Sequence, residues 1–194
     1  MRPVVIVFAK APVAGRVKTR LIPRLGAKGA AELHRAFVCE MLARLHGDFD
    51  LELHTDVQTD AWREFPVPRR VQAPGDLGAK MHAALLSALE EGRPVAMVVG
   101  ADAPTLPLRH VEELLEGGAD VALGPAEDGG YWGIAARRVA ADMFVGVPWS
   151  AADTMLRTEE SCRRAGLSVR RGGTWFDVDD AASLDRLRGE LRGE

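Results

Sequence analysis

Apolar residues near the start of the chain form an unbroken run from Val4 to Phe8. Such a run of β-branched and aromatic residues is typical of a strand that is buried on both faces of a sheet. A second run, from Pro94 to Val99, shows the same pattern and ends at Gly100. Leu51 to Thr55 alternates apolar and polar side chains instead, which favours a strand nearer the edge of the sheet.

Apolar residues that recur every three or four positions predict the helices. The first helix is expected from about Ala30 to near Gly47, and the second from Leu77 to Glu90, with the Leu77 side chain facing inward. A short helix is predicted around Leu108 to Leu115. Before the second helix, prolines break the chain into a loop, at Pro66, Pro68 and Pro74.

The rest of the chain continues to alternate between strands and helices. Short strands are predicted at Val121–Leu123, Tyr131–Ala135, Leu167–Arg171 and Trp175–Val178. Ser150 and Asp153 resemble a capping box that opens a helix with inward residues Met155, Leu156 and Cys162. A final helix is marked by Leu184, Leu187 and Leu191. With no repeat or linker in the sequence, this alternation predicts one α/β domain over residues 1–194.

The overall composition is mildly acidic, with a formal net charge of -3 and a pI near 6.0. We therefore expect no surface for nucleic acid or membranes. Cys39 and Cys162 lack the spacing of a disulfide framework or a zinc site, which favours buried thiols in a reducing compartment. No segment has the length and apolar character of a signal peptide core or a membrane span, so we expect a soluble, cytoplasmic protein.

A basic segment follows the first predicted strand. Pro12 and Gly15 keep it from becoming helical at once, and its cationic side chains are Lys10, Arg16, Lys18 and Arg20. In an open α/β sheet the ligand crevice lies outside the carboxyl ends of the strands, so this segment is well placed to hold a small polyanion. The alternative is a solvated surface loop. The position of the cations directly after a buried strand favours the anion site.

Acidic residues follow the later strands. Asp102 comes just after the second apolar run, so its carboxylate is expected to face the basic segment and to bind a Mg²⁺ ion that bridges phosphates. The alternative is that Asp102 accepts hydrogen bonds within the turn before Pro104. Of the clustered Asp177, Asp179 and Asp180, either Asp179 or Asp180 is expected to cap the final helix. Asp179, Asp177 or both are then candidates for the same metal.

Two segments that contain glycine are candidate binding loops. Glu127-Asp128-Gly129-Gly130 allows the backbone to approach a sugar or an acceptor hydroxyl, but Asp-Gly is also a strong turn signal, and the sequence alone favours neither. Gly75-Asp76-Leu77-Gly78 precedes the second helix and has N–H groups for a base or a phosphate, although such a helix start needs no ligand. The histidines lack zinc-site spacing, and no GxGxxG or GxxxxGK[ST] sequence follows the first strand. We therefore expect phosphates to be held by side chains more than by the backbone N–H groups of a glycine-rich loop.

In combination and in order, these segments resemble the GT-A-type nucleotide-diphospho-sugar transferase superfamily. The matching stretches span nearly the whole chain and are Phe8–Pro12, Lys18–Leu21, Asp76–Gly78, Gly100–Pro104, Gly124–Tyr131 and Asp177–Asp179. The chain looks most like a bacterial group of predicted glycosyltransferases, some of which are assigned to arsenosugar biosynthesis. Lys18-Thr19-Arg20-Leu21 is also similar to a motif of the phospholactate guanylyltransferases, and the chain is similar to the molybdenum-cofactor guanylyltransferases.

The resemblance implies a three-layer α/β/α sandwich around a mixed, mainly parallel sheet, with Mg²⁺ or Mn²⁺ held by Asp102 and Asp179. It places phosphates on the basic segment, the base or ribose near Leu77, and the acceptor or sugar near Asp128. The candidate nucleotide-binding residues are thus Lys10, Gly15, Lys18, Arg20, Leu77 and Gly78. The candidate substrate-binding residues are Glu127, Asp128, Gly129 and Gly130, and the candidate catalytic residues are Lys18, Asp102 and Asp128.

One departure from the superfamily pattern keeps more than one reaction open. Metal-dependent GT-A glycosyltransferases usually carry an Asp-x-Asp pair at the strand end, whereas Gly100 and Pro104 flank Asp102 at that spacing. The order of the motifs favours transfer of a glycosyl group from a nucleotide sugar to a small acceptor. The alternatives are transfer of a nucleotidyl group from GTP or CTP to a phosphorylated small molecule, and a catalytically silent nucleotide-binding protein.

Overall fold

The computed structural model describes residues 1–193, which contain seven strands and five helices. The strands are β1 (Val4–Ala9), β2 (Asp50–Thr55), β3 (Arg69–Val71), β4 (Ala96–Gly100), β5 (Val121–Pro125), β6 (Tyr131–Ala136) and β7 (Val169–Arg171). The helices are α1 (Ile22–Leu45), α2 (Leu77–Glu90), α3 (Leu108–Glu116), α4 (Thr154–Arg164) and α5 (Ala181–Arg192). A 3₁₀ turn at Thr19–Leu21 precedes α1.

All of these strands join one sheet in the order β3-β2-β1-β4-β6-β5-β7. The pairing is parallel except along β6, which runs antiparallel to both β4 and β5. The expected mixed, mainly parallel sheet is therefore confirmed. β1 lies in the interior of the sheet between β2 and β4, which agrees with its unbroken apolar sequence.

Helices cover both faces of the sheet because alternate residues of each strand point to opposite sides. In β1, Val5 and Val7 pack with apolar residues of α1 and α3, whereas Val4 and Ile6 pack with residues of α2 and α4. A third apolar cluster joins α1 to α5 through Phe37, Phe176 and Leu184. The result is the expected three-layer arrangement, in which α5 packs against α1.

Several local predictions were wrong. The proline-rich segment contains β3, whose residues are all exposed, so the sequence had no apolar pattern to reveal it. Trp175–Val178 is not a strand and makes one isolated bridge, from Trp175 to Ala126. α1 begins at Ile22, earlier than predicted, because the chain continues through a kink at Gly26 where φ is 70°. None of the helices within residues 1–193 combines the length and apolar character that a membrane crossing needs.

The helix ends and helix faces differ from prediction in three places. Leu77 and Leu156 are exposed instead of inward. The capping box at the start of α4 is not formed, because the Asp153 side chain accepts no capping hydrogen bond and Ser150 has a positive φ of 63°. In contrast, the N-cap of α5 is confirmed as Asp180, which accepts from the Ser183 backbone N–H and forms a full capping box with that serine.

Candidate active site at the carboxyl edge of the sheet

Four loops meet at the edge of the sheet where the parallel strands end. They follow β1, follow β4, connect β5 to β6, and lead into α5. Backbone hydrogen bonds join the last three of these loops: Val178 N donates to Asp102 O at 2.8 Å, and Glu127 N donates to Trp175 O at 3.0 Å. Because these bonds fix the backbone, the side chains of residues distant in sequence come together at one place.

Lys18 lies at the centre of this meeting point. Its ammonium nitrogen is 2.6 Å from Asp102 Oδ1, 2.8 Å from Asp179 Oδ1 and 2.7 Å from the carbonyl oxygen of Val178. The Lys18 side chain is only 3% exposed, whereas the Asp102 and Asp179 side chains are 43% and 45% exposed. The carboxylates are therefore open to solvent on one side and neutralised by a buried cation on the other.

The electrostatics of this cluster shift the pKa values of two of its members. Burial lowers the pKa of Lys18, but the adjacent Asp102 and Asp179 outweigh burial and raise the pKa of Lys18 above its ordinary value. Burial raises the pKa of Asp177 to about 7, and repulsion from the nearby carboxylates of Asp102, Asp179 and Asp128 adds to that rise. Negative charge is thus concentrated here beyond what one lysine neutralises.

The other cations of the basic segment point to solvent. Lys10, Arg16 and Arg20 are exposed, and within residues 1–193 they form no ion pair. Gly15 lies in the same segment with a positive φ of 84°, a conformation that favours glycine. These positions remain compatible with the predicted role in phosphate binding.

A buried histidine that the sequence reasoning missed anchors the basic segment. The Nε2–H of His34 donates to the Lys10 carbonyl oxygen at 2.9 Å, and the Ala11 N–H donates to Asp56 Oδ1 at 2.6 Å. Burial lowers the pKa of His34 below its ordinary value, which favours the neutral ring. His34 falls on the apolar face of α1 at helical spacing, and that position was the only sequence signal for a structural role.

The turn between β5 and β6 requires glycine for structural reasons. Gly129 has a φ of 90°, and a Cβ atom at this position would lie 1.9 Å from the carbonyl oxygen of Ala152. Asp128 Oδ1 accepts from the Gly130 N–H at 2.9 Å, and Gly129 O accepts from the Met155 N–H at 3.0 Å. The hairpin-turn interpretation is therefore supported, and the turn also holds Asp128 next to the site.

A cavity of about 360 Å³ opens between this turn and the start of α5. Half of its wall residues are acidic, and the walls include Arg20, Glu127, Asp128, Phe176, Asp177, Asp179, Asp180, Ala182, Ser183 and Arg186. Arg186 is already paired, because it donates to Glu127 at 2.7 Å and lies over the Phe176 ring at 3.7 Å. Asp128, Asp177 and Asp180 are the wall carboxylates that form no ion pair within the described residues.

The start of α2 is packed against an aromatic side chain. A Cβ atom at Gly78 would lie 2.7 Å from the Trp149 ring and 2.9 Å from Phe144, so the absence of a side chain at Gly78 permits this packing. Trp149 also donates through Nε1 to the carboxylate of Asp76 at 3.3 Å. Gly78 is buried and Leu77 is exposed, and their predicted approach to a base or ribose stays a prediction.

The residues at the centre of the site can hold a divalent metal only if a bound ligand supplies further oxygen atoms to it. No group of three or more His, Cys, Asp or Glu side chains within residues 1–193 is arranged to hold a metal ion. Asp102 and Asp179 nevertheless direct one oxygen each to the same cationic atom. Since Mg²⁺ bound to phosphates commonly takes one or two protein carboxylates and completes its shell with phosphate oxygens and water, this pair fits such an ion.

The structure thus brings together the central members of the predicted site. Lys18, Asp102 and Asp179 are in direct contact, and Arg20, Glu127 and Asp128 line the adjoining cavity. The fold and these loops define an α/β protein with the nucleotide-diphospho-sugar transferase fold.

Comparisons with known proteins agree with this class. The sequence matches the family described as "Uncharacterized protein conserved in bacteria (DUF2064)" over residues 33–151, and the chain belongs to that family. It is 35% identical to a protein of Desulfovibrio desulfuricans G20 that has been suggested to be a nucleotide-diphospho-sugar transferase. That alignment covers 95% of this chain and 85% of the other, with a TM-score of 0.84. No curated protein matches the chain significantly.

More distant structures share the fold. The inositol-1-phosphate CTP transferase of T. maritima is 12% identical, with a TM-score of 0.62 over 100% of this chain and 95% of the other. Molybdopterin-guanine dinucleotide biosynthesis protein A of Archaeoglobus fulgidus is 14% identical, with a TM-score of 0.58 over 100% of both chains.

Proposed function

We propose that this protein is a transferase that binds a nucleotide sugar with a divalent metal and transfers the glycosyl group to a small acceptor. The observation that carries the proposal is the convergence of Asp102 and Asp179 on one cationic atom, beside an acid-lined cavity at the carboxyl edge of the sheet. The 35% identical relative suggested to be a nucleotide-diphospho-sugar transferase supports the same class of donor.

In this proposal the chain holds the diphosphate between opposite charges. Asp102 and Asp179 are the residues that would hold Mg²⁺ or Mn²⁺, which supplies positive charge to the departing diphosphate when bound. Lys10 and Arg20, exposed and without ion pairs within residues 1–193, bind phosphate oxygens from the basic segment.

The acceptor occupies the cavity beside the β5–β6 turn. Asp128 is the side chain that accepts the proton of the attacking hydroxyl, because it is held by the Gly130 N–H and has no cation partner among the described residues. Glu127 is less suited to this role, since its carboxylate is already paired with Arg186 at 2.7 Å. Asp128→Asn is therefore expected to slow transfer while leaving the binding of the donor intact.

Nucleotidyl transfer is the second candidate, and one observation favours it. The metal position uses one carboxylate from the end of β4 and one from the loop before α5, whereas an Asp-x-Asp pair at the strand end is absent from the sequence. In that reaction a phosphorylated acceptor attacks the α-phosphate of a nucleoside triphosphate, and the same cations neutralise the leaving pyrophosphate. The resemblance to a group with members assigned to arsenosugar biosynthesis stays a prediction.

Product analysis separates these reactions. The protein is incubated with Mn²⁺ and either UDP- and GDP-sugars or GTP and CTP, together with a mixture of small hydroxylated and phosphorylated acceptors. Glycosyl transfer releases a nucleoside diphosphate from a nucleotide sugar, whereas nucleotidyl transfer releases pyrophosphate from a triphosphate. A silent binding protein releases neither product but is stabilised by nucleotide against thermal unfolding. Release of pyrophosphate alone would replace the first proposal with the second.

A further inference from the structure

Lys18 uses all of its hydrogen-bonding capacity inside the site. An ammonium group has three donors, and the acceptors are Asp102 Oδ1 at 2.6 Å, Asp179 Oδ1 at 2.8 Å and Val178 O at 2.7 Å. The Phe37 ring lies 5.4 Å from the same nitrogen and adds a favourable cation–π contact. In this arrangement Lys18 has no donor left for a phosphate oxygen.

The ammonium group occupies the point that a metal bound by the two carboxylates would need. A divalent ion takes its carboxylate oxygens at about 2.0–2.6 Å, which is inside the distance at which Lys18 already holds both oxygens. Two cations cannot share these oxygens without strong mutual repulsion, because they would lie only a few ångströms apart. Lys18 and the metal are therefore competitors for Asp102 and Asp179.

The backbone at Lys18 is also in a conformation that a lysine rarely adopts. Its φ and ψ are 46° and 44°, in the left-handed region, immediately before the 3₁₀ turn at Thr19–Leu21. A non-glycine residue in this region carries strain that the surrounding contacts must offset. The three short hydrogen bonds of the ammonium group supply such contacts, so the position of Lys18 depends on its carboxylate partners.

We propose that Lys18 is an internal counter-ion that keeps the metal position closed until a diphosphate group arrives. The inference rests on the proposed metal and nucleotide site. When the diphosphate binds at the basic segment, its oxygens are alternative acceptors for the ammonium group, and the movement of Lys18 toward them frees Asp102 and Asp179 for the metal. Metal and diphosphate then bind with positive coupling, and by linkage each raises the affinity of the other. Metal alone binds weakly.

Metal binding without substrate tests this inference. The affinity for Mn²⁺ alone is measured by isothermal titration calorimetry for the wild-type chain, Lys18→Met and Lys18→Arg. Lys28→Met is the matched control, because Lys28 is an exposed lysine of α1 with a surface partner, Glu32, at 3.8 Å. We expect Lys18→Met to bind Mn²⁺ at least tenfold more tightly than the wild type, and Lys18→Arg and Lys28→Met to bind it as weakly as the wild type. Equal or weaker binding by a folded Lys18→Met variant would overturn the proposal.

A measurement on the wild-type chain keeps the inference testable if Lys18→Met does not fold. The chain has four lysines, so ¹³C labelling of the lysine side chains gives few signals, and Lys18 is assigned through the Lys18→Arg variant. Mg²⁺ alone is expected to leave the Lys18 signal unchanged, whereas UDP or GDP with Mg²⁺ shifts it. A full shift with Mg²⁺ alone would contradict the proposal. Neither measurement needs turnover, so a failed transferase assay leaves both results interpretable.

Discussion

Two residues at the carboxyl edge of the sheet, Gly129 and Arg20, have different roles, one in packing and one in charge. Gly129 combines a positive φ of 90° with the carbonyl oxygen of Ala152 at the place where a Cβ atom would be. Arg20 is exposed at the cavity wall and forms no ion pair within residues 1–193. Packing therefore requires glycine at position 129, whereas the Arg20 side chain is available to bind a ligand. Different measurements therefore test them.

The β5–β6 turn should not tolerate a side chain at Gly129. Gly129→Ala is expected to lower the free energy of unfolding by about 1–3 kcal/mol, because the alanine would be strained at this φ and would collide with Ala152. Gly118→Ala is the control, since a Cβ atom at Gly118 has no neighbour within 4 Å. Urea denaturation measures both variants. Equal stability of the two variants would show that the turn adjusts at no cost.

Arg20 should distinguish phosphate from the rest of a nucleotide. Arg20→Ala is expected to weaken binding of a nucleoside diphosphate about tenfold, or ~1.4 kcal/mol, through the loss of charge-assisted hydrogen bonds. Binding of the bare nucleoside should not change. Arg63→Ala is the control, because Arg63 is an exposed arginine outside the site with no ion pair within residues 1–193. Equal weakening of nucleoside and diphosphate would refute a phosphate-binding role for Arg20.

At the scale of elements, a buried carboxylate joins helix α4 to the edge strand β7. Glu159 on α4 accepts from Arg163 at 2.5 Å and from Arg171 Nε on β7 at 3.1 Å. Burial raises the pKa of Glu159, but the two arginines outweigh burial and lower it below its ordinary value of 4.5. The carboxylate form of Glu159 therefore stabilises the folded state.

The stability contributed by Glu159 should depend on pH with a definite sign. Because the folded pKa is lowered, the contribution is complete above the ordinary value of 4.5 and is lost as the pH falls through the folded value. Glu159→Gln is expected to cost about 1–3 kcal/mol at pH 7 and less at pH 4. Glu160→Gln is the control, since Glu160 makes only a surface ion pair with Arg157. A pH-independent difference in the urea denaturation midpoint would contradict this account.

The elements also show what the sequence could and could not predict. β1 and β4 were found because both faces of these strands are buried, which leaves an unbroken apolar run. β3 was missed because its three residues are all exposed and a proline precedes it. Leu156 was expected to face inward from its spacing, but it lies on the exposed face of α4 because the buried face is built partly from polar residues, Thr158 and Glu159.

The sequence predicted which residues form the site, but it did not predict the contacts between them. Asp102 and the basic segment follow strands whose ends meet at one edge, so sequence position alone indicated their proximity. The direct contact of Lys18 with both carboxylates was not predictable, because it depends on a loop about 160 positions away that returns to the site before α5. His34 was missed for a similar reason, since its partner is a backbone carbonyl without a sequence signal.

At the scale of the whole molecule, the chain is mildly acidic, but positively and negatively charged side chains meet at one edge of the sheet. The chain carries a net charge of -3, yet Lys18 and Arg20, which follow β1, lie beside carboxylates that follow β4 and precede α5. A diphosphate with a divalent metal would satisfy both signs at once. The central claim is therefore that Asp102 and Asp179 form the metal side of a nucleotide-diphosphate site.

Metal-dependent binding of nucleoside diphosphates tests that claim most directly. UDP, GDP, CDP and ADP are titrated with and without Mn²⁺ into the wild-type chain, Asp102→Asn, Asp179→Asn and the exposed control Asp60→Asn, and thermal unfolding confirms that each variant is folded. We predict that at least one diphosphate binds the wild type and Asp60→Asn in a Mn²⁺-dependent way, and that each site variant weakens this binding tenfold or more. Undiminished Mn²⁺-dependent binding by either site variant, or no binding of any diphosphate by the wild type, would contradict the account.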